Sequence, residues 1–307
     1  MTMKRLLYIL LPLLFAACSN DESVPVVGET VTVTVGVALP QAAVPTAKIS
    51  TRGETYTQVV DKVLCAVFDK DGNEVENLRE TLDATAAPMV YSPRLAIGQT
   101  YNVVFFAYKE GAYNISEFPE VSRVTGSTAP AEKYFEAFSA SRSITVDKAQ
   151  NLSVTLKRTV AKIHIGTTTE DLTAAEALGM KPTATTATIK GAFGTYNVLT
   201  RQPVSEENDT QPELVLTSKA DLGTFSVGGT EYWRLGAYYF FTDGGNVDLS
   251  FDFKAGDNSI RGSLLDITGI PVGRNVLTSI AGEILTGTVN YTVELSNTFN
   301  EDKQQII

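Results

Sequence analysis

The chain contains 307 residues, and its 35 acidic and 25 basic side chains give a formal net charge of −10 at pH 7. This balance excludes a nucleic-acid binder, because such proteins need a basic face to displace counterions from phosphates. One histidine, His164, and two cysteines, Cys18 and Cys65, exclude histidine-rich zinc sites and a disulfide framework. The length indicates two domains, each large enough for its own hydrophobic core.

The N-terminus has the composition of a secretory signal peptide. A basic start precedes the apolar run 6–15, which is shorter than the about 20 residues needed to span a bilayer. The residues leading to Cys18 resemble a bacterial lipobox, which implies acylation of Cys18 and removal of residues 1–17. An ordinary signal peptide would instead leave Cys18 as a free thiol. In either case, residues 18–29 are expected to form a polar, flexible tether.

Most of the remaining chain is predicted to be β-strand. In residues 30–39 valine alternates with threonine, which is typical of a strand with one buried face. The apolar runs 63–68 and 101–108 are predicted to be buried strands, the first covered on both faces. Residues 69–73 carry the Asp-Gly and Gly-Asn pairs of a hairpin turn, which we favour over a calcium loop.

The apolar alternation changes phase near Arg158, which a regular strand cannot do without a bulge or a junction. We therefore expect an N-terminal domain over residues 30–157 and a C-terminal domain over 158–307. One helix is predicted at 172–178. Many short strands separated by turn residues predict an all-β protein: two tandem Greek-key β-sandwiches of the transthyretin or immunoglobulin type, with one or two short helices.

The sequence contains no local motif for catalysis. It has neither a phosphate-binding loop nor a GxSxG nucleophile elbow, so we expect no enzyme, no catalytic residues, no metal and no cofactor. His164 lies between two isoleucines and is expected to face solvent or an interface, whereas Cys65 is expected to be an inert core thiol. Trp233, beside several tyrosines, is a candidate for stacking a sugar ring, although such a cluster is more often core.

Four further segments, taken together and in their order along the chain, indicate a protein family. They are 61–72, 101–108, 156–163, and 271–278 followed by 282–286. Together with the lipobox and the length, they resemble the fimbrillin-type lipoproteins of Bacteroidales, which are subunits of acyl-anchored pili. The resemblance implies a structural subunit of a cell-surface fimbria, exported as an outer-membrane lipoprotein.

The resemblance also implies assembly with other fimbrial subunits by β-strand exchange. A trypsin-like protease would cut between Arg52 and Gly53, with Lys48 as the second choice, and would remove the strand at 30–39. A neighbouring subunit would then fill the groove with a strand from 289–307. The candidate donor side chains are Val289, Tyr291, Val293 and Leu295.

Two alternatives remain open. Anchor-type relatives keep their lipid and are not cut, so the anchor, stalk and tip roles are all compatible with the resemblance. The chain could also be a non-polymerising surface lipoprotein that binds a glycan or a host ligand through Trp233. Both the fimbrial subunit and the ligand-binding lipoprotein would lie at the cell outer membrane, held by acyl chains on Cys18. The fimbrial subunit would enter a fimbrium if it is processed. Both interpretations allow a host or bacterial surface ligand and exclude nucleic acid.

Overall fold

The computed structural model describes residues 28–40, 59–126, 132–205, 211–220 and 223–296. The strands of the N-terminal half are β1 (Thr30–Ala38), β2 (Lys62–Asp69), β3 (Glu80–Asp83), β4 (Met89–Tyr91), β5 (Arg94–Ala96), β6 (Thr100–Tyr108), β7 (Tyr113–Asn114), β8 (Glu120–Arg123), β9 (Phe138–Thr145), β10 (Gln150–Thr155) and β11 (Lys157–Arg158). A 3₁₀ turn over Glu132–Phe135 precedes β9.

The C-terminal half contains the helix α1 (Thr169–Ala177) and twelve strands. The strands are β12 (Val160–Thr167), β13 (Ala184–Lys190), β14 (Thr195–Asn197), β15 (Gln202–Val204), β16 (Glu213–Lys219), β17 (Thr224–Val227), β18 (Thr230–Phe241), β19 (Asn246–Ala255), β20 (Asn258–Ser259), β21 (Leu265–Pro271), β22 (Leu277–Glu283) and β23 (Asn290–Ser296).

The first sandwich is made of two sheets. One has the order β10-β1-β4, with β5 also paired to β1, and the other has the order β11-β9-β6-β2-β3. Valines at the odd positions of β1 point into the space between the sheets, as the alternation predicts, and meet Val103 and Phe105 of β6 there. Strand β2 is buried on both faces, also as predicted, since it contributes to two different apolar clusters.

The second sandwich packs a sheet of order β17-β18-β12-β22-β23 against a sheet of order β16-β13-β19-β20, with β21 paired to β19. Its core contains fully buried side chains from both sheets, such as Ile163, Phe251 and Ile280. The structure therefore confirms the prediction of an all-β protein with two β-sandwiches and a short helix.

A fifth sheet of the described residues, made of four strands, was not expected from the sequence. Its order is β15-β14-β8-β7, so each half of the chain supplies two of its strands. A third apolar cluster lies between this junction sheet and the outer face of the first sandwich, where Tyr196 of β14 stacks on Phe241 of β18 with ring centroids 5.0 Å apart. The two halves are thus joined by shared sheet and shared core, in addition to the chain itself.

Arg158 lies where the chain passes from the first sandwich to the second. Its strand β11 pairs with β9, and β12 begins two residues later between β18 and β22. The buried guanidinium donates to Glu136 Oε2 at 2.7 Å and to Asn275 Oδ1 at 2.6 Å. The change of phase seen in the sequence thus coincides with a buried arginine that joins Glu136 of the first half to Asn275 of the second.

His164 does not face solvent, which corrects the sequence expectation. The side chain is fully buried, and its ring lies 5.2 Å from that of Phe225, centroid to centroid. Simple alternation failed here because strand β12 is covered on both faces. Burial, together with the positive charges of Lys162 and Arg234, holds the pKa of His164 well below its usual value, so the ring is neutral at pH 7.

Candidate functional site

The first strand of the structure, β1, is hydrogen-bonded along both edges. It pairs in parallel with β10 from Val33 to Ala38, and antiparallel with β5 and then β4 on the other side. The ladder continues past the strand end, where the N–H of Leu156 donates to the carbonyl of Ala38 at 2.8 Å. Removing β1 would therefore leave two facing rows of unpaired backbone groups.

The inward face of β1 fills the first core. Val33, Val35 and Val37 are at most 6% exposed, and each such side chain contributes about 1.5–3 kcal/mol through burial. They pack in the same cluster as Phe105 and Cys65. Burial raises the pKa of the Cys65 thiol and keeps it protonated. The space that β1 occupies is thus an apolar groove with hydrogen-bonding groups on both walls.

Several residues that the sequence singles out lie outside the described residues. They include Cys18, Lys48, Arg52 and Gly53. The last three belong to the segment 41–58, which connects β1 to β2. Lipidation at Cys18 and cleavage after Arg52 therefore stay predictions.

The last described strand, β23, has a different environment. It pairs antiparallel with β22 over seven positions and ends the order of its sheet, so its second edge has no strand partner among the described residues. Of the candidate donor side chains, Val293 and Leu295 are half-buried and Tyr291 is 39% exposed. Val289 packs against the second core but precedes the strand. The apolar face of β23 is therefore only partly covered.

Close backbone contact holds β23 against β22 at Gly282. A β-carbon at this position would lie 1.9 Å from the carbonyl oxygen of Asn290 and 2.6 Å from the α-carbon of Tyr291. Because backbone atoms of β23 occupy that space, no other residue fits without separating the two strands. The spacing of β22 and β23 thus depends on a glycine at this register.

A buried carboxylate, that of Asp171 in α1, organises the loop between β22 and β23. It accepts hydrogen bonds from the N–H groups of Ile284, Leu285 and Thr286 at 2.7–2.9 Å, and from the hydroxyls of Thr286 and Thr167 at 2.6 Å. Burial raises the pKa of Asp171, but these hydrogen bonds together lower it below its usual value. We call this arrangement the Asp171 clamp.

Sequence reasoning missed the Asp171 clamp, although a local signal was present. Thr168 and Asp171 form the T-x-x-D pattern that begins a helix, and the N–H of Asp171 donates to the Thr168 hydroxyl oxygen at 3.2 Å. That pattern predicts the helix start but not the clamp, because the partner loop lies more than 110 residues further along the chain.

The opposite face of β23 is polar, and it is buried towards the end of the strand. Glu294 aligns with Ser279 of β22 and His164 of β12, which form a row across three strands. Glu294 Oε2 accepts the N–H of Gly228 at 2.7 Å, and Glu294 Oε1 is buried without a hydrogen-bond partner. Leaving such an atom unpaired costs about 1–3 kcal/mol, which makes β23 less firmly held than its pairing alone suggests.

Trp233, the candidate stacking residue, lies on β18. Its ring is half-buried against the second core, and its Nε1 donates to the Thr169 hydroxyl at 3.1 Å. The neighbouring tyrosines do not extend this surface, because Tyr238 is fully buried in the second core, Tyr239 in the third cluster, and Tyr232 packs against a fourth apolar cluster. Trp233 therefore lies apart from the other aromatic rings that the sequence groups with it.

The described residues contain no helix long and apolar enough to cross a membrane. They also contain no group of three histidine, cysteine or carboxylate side chains placed to hold a metal ion.

Solved structures share this architecture. A candidate polysaccharide-binding protein from Bacteroides thetaiotaomicron has a TM-score of 0.50 at 12% identity, over 89% of this chain and 99% of its own. The fimbrial anchor protein Mfa2 from Porphyromonas gingivalis has a TM-score of 0.49 at 12% identity, over 87% and 96%. A candidate adhesin from B. thetaiotaomicron has a TM-score of 0.49 at 10% identity, over 88% and 97%. The likeness to the first of these concerns the fold alone, and it agrees with the all-β fold expected from the fimbrillin-type resemblance.

Comparison of the sequence with family models gives a match to a family of unknown function, DUF6562, over residues 24–307. None of the curated proteins compared with the sequence matches it. The family match covers the chain from residue 24 to its last residue. Because it spans nearly the whole sequence, the chain belongs to the family of unknown function DUF6562.

Proposed function

We propose that this chain is a non-enzymatic structural subunit of a cell-surface fimbria, exported as an outer-membrane lipoprotein and assembled by β-strand exchange. The observation that carries the proposal is the environment of β1. This strand fills an apolar groove and is hydrogen-bonded on both edges, so any strand with the same alternation can replace it. The partners are other fimbrial subunits, and acyl chains on Cys18 supply the first membrane anchor.

The way in which β1 is connected to the rest of the chain supports its replacement by a strand of another subunit. Along the chain, β1 is joined to β2 only through the segment 41–58, which contains Arg52. A cut after Arg52 leaves β1 held by non-covalent contacts alone. The lipid is on the same side of the cut as β1, so the loss of β1 also releases the subunit from its anchor. The uncut chain keeps both β1 and the lipid, and it serves as an anchor.

N-terminal sequencing of protein sheared from the cell surface tests the cleavage. The stalk form of the proposal predicts a mature protein that begins at Gly53 and forms heat-resistant polymers. The anchor form predicts a chain that begins at acylated Cys18. Finding acylated Cys18 on every molecule would overturn the stalk form, and finding neither N-terminus in any surface fraction would overturn the proposal.

Two C-terminal deletions test the donor strand. Deleting residues 289–307 removes β23, which the second sandwich also uses, so lost polymers alone could reflect lost folding. Deleting only residues 297–307 leaves β23 in place. We expect the long deletion to abolish polymerisation. Cooperative unfolding of its first sandwich is the control that the shortened chain is still folded. Unchanged polymers after the long deletion would refute the donor assignment.

A further inference from the structure

A cleft opens between the two sheets of the first sandwich, along the edge formed by β9 and β10. Strand β11 pairs only with the first two residues of β9, so the middle of β9 borders the cleft without a strand partner on that side. The cleft has a volume of about 230 Å³. It is lined by Ser139, Ala140, Ser141, Arg142, Ser153, Val154, Thr155, Lys157 and Arg201.

The charge of this cleft is opposite to that of the protein. Arg142, Lys157 and Arg201 contribute three positive charges, and no carboxylate lines the cleft, although the chain carries a net charge of −10. None of the three forms an ion pair with a carboxylate of the described residues. Three uncompensated cations in one small cleft attract an anion from solution.

Two of the cations are positioned by contacts of their own. The Nη1 of Arg142 donates to the carbonyl of Ser153 at 2.8 Å, which fixes its guanidinium across the cleft. Arg201 has a backbone φ of +59°, a conformation that residues other than glycine rarely adopt. Its carbonyl accepts from Arg274 Nη1 at 2.8 Å, which holds this turn in place. The Arg201 Nε is buried and makes no hydrogen bond.

The unused hydrogen-bonding capacity points to a specific chemistry. A buried guanidinium N–H without an acceptor costs free energy, and an oxyanion supplies that acceptor through a charge-assisted hydrogen bond. Ser141, Ser153 and Thr155 also line the cleft, and they supply polar groups that can hydrogen-bond the hydroxyl groups of a sugar. We propose that this cleft binds a saccharide-sized ligand that carries one oxyanion group, either sulfate, phosphate or carboxylate.

This site is separate from the proposed strand exchange. Strand β10 reaches the cleft through the edge that does not pair with β1, and neither β1 nor β23 lines it. The cleft therefore overlaps neither the strand that leaves nor the proposed donor strand. Neutralising its charges should leave polymerisation unchanged, so failure of one proposal is distinguishable from failure of the other.

Isothermal titration calorimetry on the full chain tests the proposal. The probes are galactose sulfate, glucose phosphate and glucuronic acid, with galactose and glucose as neutral references and inorganic sulfate as the bare ion. We expect saturable one-to-one binding of at least one charged sugar that weakens as salt rises, and no binding of its neutral parent. Binding of inorganic sulfate with the same affinity would show that the oxyanion alone is recognised.

Charge-neutral variants locate the site. We expect Lys157→Gln and Arg201→Gln each to weaken binding by about tenfold or more, because each removes a charge-assisted contact. Lys148→Gln is the matched control, since it removes the same charge from the exposed turn between β9 and β10 and should leave the affinity within about twofold. Unchanged binding in both cleft variants, or no saturable binding of any charged probe, would overturn the proposal.

Discussion

The strands β1 and β23 lie at opposite ends of the described chain and are held in opposite ways. Strand β1 is central in its sheet, bonded on both edges and buried through three valines. Strand β23 is at the edge of its sheet, bonded on one side, with an apolar face that is only partly covered. The difference shows which strand would leave a groove if removed and which strand is held along one edge only.

Contacts hold β23 at both of its ends. At its beginning, Gly282 allows close approach to Asn290, and the Asp171 clamp orders the loop that leads to the strand. Towards its end, Glu294 is buried and its Oε2 accepts the N–H of Gly228. The pairing with β22 is thus reinforced by backbone contact at one end and by a buried polar group at the other.

The largest expected effect comes from placing a charge on each strand. Val35→Asp buries a carboxylate in the first core, so we expect the free energy of unfolding to fall by about 4 kcal/mol or more. Tyr291→Asp on β23 is the matched variant, and its effect should stay within about 1 kcal/mol because this side chain is partly exposed. Urea unfolding measures both. Equal losses in the free energy of unfolding of the two variants would contradict the difference between β1 and β23.

A methyl group at Gly282 tests how β23 is attached. Gly282→Ala places a β-carbon against the backbone of Asn290, so we expect a loss of about 2–3 kcal/mol and faster amide exchange in β23 but not in β1. Gly287→Ala, in the loop that follows β22 and with open space around it, should change stability by less than about 0.5 kcal/mol. Unchanged exchange in β23 of the Gly282 variant would contradict the assigned register.

The smallest effect is expected at the Asp171 clamp. Asp171→Asn replaces an acceptor oxygen with a donor, so at least one buried N–H loses its partner and stability should fall by about 2 kcal/mol. Asp147→Asn, in an exposed turn, is the control.

The pH dependence of stability checks the same contact. The folded pKa of Asp171 lies below the unfolded value of 3.8, so its stabilisation is complete above pH 3.8 and is lost as the pH falls through the folded pKa. Asp171→Asn should flatten this acid limb, which unfolding curves below pH 4 would show. An acid limb as steep as that of the unsubstituted chain would contradict the role of the carboxylate.

Long, regular strands could be predicted from the sequence. The alternation of Val33, Val35 and Val37 and the continuous apolar run of β2 reveal burial directly, because each side chain repeats the same environment. The change of phase at Arg158 also corresponds to the passage between sandwiches. These features depend only on neighbouring residues, which is why one sequence suffices to detect them.

Features that depend on distant contacts could not be predicted. The junction sheet is built from strands of two to four residues, too short to show a period, and its pairs join residues such as Val121 and Tyr196. His164 was placed at the surface because no local pattern reveals that Phe225 covers it. The same is true of the Asp171 clamp and of the cleft at Arg201, whose residues meet only in the folded protein.

Cleavage of the purified chain by trypsin tests the central claim most directly, namely that a strand from another subunit can replace β1. The chain and the 289–307 deletion are cleaved in parallel, and mass spectrometry and unheated gel electrophoresis follow the products. If strand exchange occurs, we expect loss of the peptide containing β1, a new N-terminus at Gly53, and heat-resistant oligomers from the full chain only. A cleaved protein that stays monomeric with the β1 peptide still bound would contradict it.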